Sequence, residues 1–118
     1  MTPTMQTKFD DDGDCLRACL ATITDLPLEA VVDVLDGKWP EEVWYDRVQK
    51  WCYENGWLAQ VYPADEPPSD YAIAIGPTDR RALTHAVVVL DGRFCHDPHP
   101  TSAMLNEVHH FIGLLRRD

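Results

Sequence analysis

The chain has 118 residues, with 10 Lys plus Arg against 20 Asp plus Glu and a formal net charge of −10. That balance argues against a protein that grips a nucleic-acid backbone or an anionic membrane surface, because both tasks need a basic face. Hydrophobic content of 45%, with four Trp, four Tyr and three Phe, argues against disorder. No apolar run approaches the roughly 20 residues needed to span a bilayer.

One domain over residues 1–118 is expected, since a chain of this size buries roughly two thirds of its unfolded surface without a metal or disulfide staple. Met1 to Asp14 is polar and ends in acids. No signal peptide is expected there, and the expected location is cytoplasmic. In that reducing compartment Cys15, Cys19, Cys52 and Cys95 are expected as thiols. They contain no C-x-x-C pair, so a zinc ribbon is unsupported.

In chain order, residues 3–9 read as a short edge strand or an extended arm. Asp10-Asp11-Asp12-Gly13-Asp14 is a turn, with Asp14 as a helix N-cap. Leu16, Cys19, Leu20 and Ile23 form one apolar stripe at helical spacing. Pro27 starts a second helix with Leu28, Val31, Val32 and Leu35 inward, ended by Gly37. Pro40-Glu41-Glu42 opens a third helix, in which Trp44, Val48, Trp51 and Cys52 face inward until Asn55-Gly56 stops it. Strands follow at Trp57 to Tyr62 and at Tyr71 to Ile75, the latter closed by Gly76-Pro77. Thr84 to Leu90 is the clearest strand, and Asp91-Gly92 turns it into an antiparallel return from Arg93 to His96. Phe111 to Leu115 is the last strand. Helices first and hairpin-linked strands after predict an α+β domain with a mainly antiparallel sheet.

Three residues in this layout point to thiol chemistry. Cys15 opens a helix, where unsatisfied N–H groups and the helix dipole favour thiolate. His85 starts the best strand. A two-residue turn pairs Leu90 with Arg93, which sets Asp97 opposite Ala86 and beside His85. A Cys at a helix N-terminus, a His on a strand and an Asp that orients the His are what a thiol nucleophile needs. The plainer alternatives are a buried small hydrophobe for Cys15, a strand-end histidine for His85 and an Asp-Pro loop start for Asp97.

Asp14-Cys15-Leu16-Arg17-Ala18-Cys19-Leu20-Ala21 resembles the nucleophile helix of the C39 peptidase family, which belongs to the papain-like cysteine peptidases. His85-Ala86-Val87-Val88 with Asp97-Pro98 resembles that family's H-x-V-V and D-P segments. Gln6-Thr7, Gly13 to Ala21 and His85 to Pro100 together are similar to short standalone C39-like proteins of bacteria and phages. The resemblance implies a papain-like fold, Cys15 as nucleophile, His85 as base, Asp97 as its orienting acid and Cys19 as structural. It also implies an oxyanion hole from Gln6 and the Cys15 backbone, although Gln6 lies further upstream than such enzymes place it. Leu16 stands where C39 peptidases prefer Gly, so cleavage after a double-glycine leader is not expected.

A peptide or protein substrate is therefore expected, with hydrolysis through an acyl-enzyme. The acids before Cys15 oppose a thiolate and suggest a cationic substrate group, with Asp12, Asp14 and Trp44 as candidate substrate contacts. No cofactor or metal is expected: Cys95 and His96 point to opposite faces of a strand, as do His109 and His110. The acidic turn does not fit a calcium loop, since Lys8 and Cys19 fall where ligands are required. The alternative from another class is a non-catalytic papain-like module, or an effector that binds and inhibits a partner protein.

Overall fold

The computed structural model describes residues 3–7, 15–31, 41–78, 81–99 and 104–117. Helix α1 spans Cys15–Thr24 and α2 spans Glu41–Glu54. Five strands follow: β1 Trp57–Pro63, β2 Tyr71–Thr78, β3 Arg81–Leu90, β4 Arg93–His96 and β5 His110–Arg116. They form one sheet in the order β1-β5-β2-β3-β4, and every pairing is antiparallel. Among the described residues the protein is an α+β fold with two α-helices on a five-stranded antiparallel sheet. No helix among the described residues is long and apolar enough to cross a membrane.

The α1 stripe predicted from Leu16, Cys19, Leu20 and Ile23 is buried, and Ala18, Ala21 and Thr22 are buried as well. The helix is thus covered on nearly every side, with Arg17 and Thr24 the more accessible positions. It packs chiefly on β3 and also on β2, whereas α2 packs on β1. Strand alternation divides the sheet into two faces. Ile73, Ile75, Ala86, Val88, Ile112 and Leu114 meet α1 and the inward residues of α2, Val48, Trp51 and Cys52. Ala72, Ala74, Val87, Val89 and Phe111 point the other way and are covered by Leu105, Met104, Val108 and Tyr62.

Three sequence expectations need correction. The segment after Pro27 makes only one 3-10 turn, Leu28–Ala30, among the described residues, and Val31 leaves it extended at φ −97° and ψ 130°. Tertiary contacts explain this. Val31 is buried, and its carbonyl accepts a 2.8 Å bond from Arg17 Nε on α1. Val32, Leu35 and Gly37 lie outside the described residues. Gly76-Pro77 does not close β2, which runs on to Thr78. Proline is tolerated there because the ladder is irregular between Gly76 and Thr78, where a donor is not required. Lastly, β3 begins at Arg81, so His85 lies inside the strand and not at its start; of the two readings for the N-terminus, residues 3–7 form the arm.

Candidate active site

The β3–β4 hairpin is built by its turn. Asp91 and Gly92 both have positive φ, 52° and 83°, as the tight turn favoured between twisted strands requires. Leu90 pairs with Arg93 and Val89 with Phe94, as predicted. The register then shifts, and Val88 pairs with His96. Cys95 is the extra residue of this bulge and its side chain is exposed. Asp97 therefore stands one step beyond the Val88 level, beside Val87, and not opposite Ala86. The difference decides the site. Residues two apart on a strand share a face, so Val87 lies on the side of His85 and Ala86 on the other. An unbulged hairpin would have aimed Asp97 away from His85.

His85 Nε2–H donates to Asp97 Oδ1 at 2.7 Å, and neither side chain has any solvent exposure. Asp97 also accepts two backbone bonds, from His99 N–H to Oδ1 at 2.9 Å and from Met104 N–H to Oδ2 at 2.8 Å. Burial pushes this carboxyl toward its neutral form. The bonds from His85, His99 and Met104 and the charge of His85 outweigh it, and Asp97 is held below its ordinary value. An ionised Asp97 fixes the His85 tautomer with hydrogen on Nε2, which leaves Nδ1 as the basic nitrogen. The His99 ring meets the His85 ring edge to face, with centroids 6.4 Å apart.

Cys15 is the first residue of α1, is 6% exposed, and shares an apolar cluster with Ala86, on the face of β3 that alternation sets opposite to His85 and Val87. One turn inward, Cys19 is fully buried, and burial drives its thiol well above the ordinary range. The charges of Cys15 and of Asp97 push it further in the same direction. The helix thiols and the Asp97 carboxylate thus lie in one electrostatic neighbourhood. Cys52, also in the core, is pushed up to about 12 by burial. None of the four cysteines is in a disulfide.

Gln6 is 4% exposed, and its backbone N–H donates to the Pro98 carbonyl at 3.0 Å, which sets it next to Asp97. Asp12 and Asp14 lie outside the described residues, as does the side chain of Trp44. Among the described residues no three His, Cys, Asp or Glu side chains are grouped to hold a metal ion.

Sequence reasoning missed the two amides on Asp97 and the ring of His99. The His99 bond was legible, because an Asp side chain commonly accepts the N–H two residues on. The Met104 bond joins residues seven apart and has no local signal. No family model, curated protein or solved structure matches the chain.

Proposed function

We propose that this chain is a cytoplasmic cysteine hydrolase of papain-like type, acting on an amide, peptide or isopeptide bond of a peptide or protein. The observation that carries the reading is the buried His85–Asp97 pair, its carboxylate fixed by two backbone amides, on the strand against which the Cys15 helix packs. Burying an ionised carboxylate is costly, and its bond to His85 with the two backbone amides offsets that cost and fixes its geometry. Cys15 sulfur attacks the carbonyl carbon while its proton passes to His85 Nδ1. Asp97 stabilises the imidazolium through Nε2–H. The Cys15 backbone N–H, with Gln6, receives the developing oxyanion. His85 then gives the proton to the leaving amine as the C–N bond breaks, and water cleaves the thioester on Cys15. The acids at Asp12 and Asp14 favour a substrate with a cationic group.

One observation favours a second reading. Cys15 is 6% exposed and His85 1%, which suits a papain-like module that keeps the constellation for packing and only binds a partner. Thiol labelling at pH 7 separates the two. The hydrolase reading expects an alkylating probe to modify Cys15 much faster than the exposed Cys95, with that advantage lost in His85→Ala. Labelling of Cys15 no faster than Cys95 refutes it.

A further inference from the structure

We propose that His96 is a positioning residue of the site, clamping the N-terminal arm that carries Gln6; the inference rests on the hydrolase reading above. Thr4 is held at both of its backbone polar atoms. Its N–H donates to Thr22 Oγ1 on α1 at 2.9 Å, and its carbonyl accepts from His96 Nε2 at 2.8 Å. A carbonyl can only accept, so His96 supplies the hydrogen. Thr22 is fully buried, and its own hydroxyl hydrogen goes to the Ala18 carbonyl at 2.8 Å, which turns an oxygen lone pair to the arm. Two residues on, the Gln6 N–H reaches the carbonyl of Pro98, whose ring is fully buried.

The hairpin bulge gives this clamp its logic. His96 pairs with Val88, whose side chain faces the helices, while the next residue, Asp97, binds His85. Consecutive residues of one strand point to opposite faces. The end of β4 therefore holds the base's carboxylate partner with one residue and the arm with the residue before it. Any movement of the hairpin end shifts Asp97 and Gln6 together. The chemical requirement at position 96 is an N–H donor of fixed reach, which a glutamine amide also offers.

The test compares His96→Leu and His96→Gln with the wild type. Two readouts are used: amide hydrogen exchange at Gln6, and modification of Cys15 followed by mass. Acylation by p-nitrophenyl acetate passes through an oxyanion, whereas alkylation by iodoacetamide does not. In His96→Leu, Gln6 exchange rises roughly tenfold as the anchoring bonds loosen. Ester acylation falls by about ten- to a hundredfold while alkylation holds its rate. His96→Gln restores both. If His96→Leu does not fold, Thr22→Val releases the arm from the α1 side and carries the same expectation. Unchanged Gln6 exchange, unchanged ester acylation, or a Gln variant as impaired as the Leu variant overturns the clamp. Failure of the wild type to acylate at Cys15 refutes the hydrolase reading instead, and the exchange rates still decide whether His96 holds the arm.

Discussion

Gly76→Ala is the substitution whose consequence the structure specifies most fully. Gly76 pairs with His85 across the β2–β3 ladder, and the segment 104–109 crosses directly over it. A Cβ there would press on the Glu107 carbonyl oxygen and stand 3.1 Å from the Glu107 carbonyl carbon and 3.3 Å from Val108 Cα. All three are backbone atoms, so no side-chain rotation relieves the contact. An ordinary carbon–oxygen contact needs about 3.3 Å, so the peptide must retreat by about an ångström. That peptide is tied on both sides, by Asn106 N–H to the Pro77 carbonyl at 2.9 Å and by His109 N–H to the Ile75 carbonyl at 2.7 Å. Losing both bonds costs about 2 kcal/mol. Residual overpacking adds about 1–3 kcal/mol. The expected loss is therefore about 3–5 kcal/mol, a large part of the stability of a domain this size. Urea denaturation of wild type and variant measures it, as a fall in midpoint with the slope unchanged. The segment also supplies Met104 N–H to Asp97, so the same variant relaxes the carboxyl toward its ordinary pKa. A loss under about 1 kcal/mol, with the amide signals of 104–109 unmoved, would refute the argument.

Leu20→Ala removes a fully buried side chain at the centre of α1 and is expected to cost about 3–4 kcal/mol, read from the same denaturation midpoint. Asp97 has a folded pKa below its ordinary 3.8, so its stabilising contribution is complete above that value and drains away as pH falls through the folded one. Asp97→Asn should therefore flatten the acid side of the stability–pH curve below about pH 4, and parallel curves for the two proteins contradict the assignment. Cys19 and Cys52, with thiols raised by burial, should resist alkylation at pH 8 until urea unfolds the chain, whereas exposed Cys95 reacts in the native state. Mass analysis of native and unfolded samples checks this.

What the sequence determined by itself was local. The α1 stripe follows from the spacing of Leu16, Cys19, Leu20 and Ile23, and the hairpin from Asp91-Gly92, whose positive φ values few other pairs accept. Cys15 at a helix start and Asp97 after a hairpin return were legible too, as short-range features, whereas β3 begins at Arg81 and sets His85 inside the strand. Tertiary structure decided the rest, through contacts with no local signature. β5 enters the sheet between β1 and β2, a choice set by which apolar faces can be covered together. Val31 is drawn out of helix by Arg17 on a neighbouring element. The decisive case is the bulge at Cys95. A strand's side chains alternate with period two, so one inserted residue reverses every face beyond it. Sequence spacing brought Asp97 to the same end of the hairpin as His85, and only the bulge turned it toward the imidazole and left His96 facing the arm.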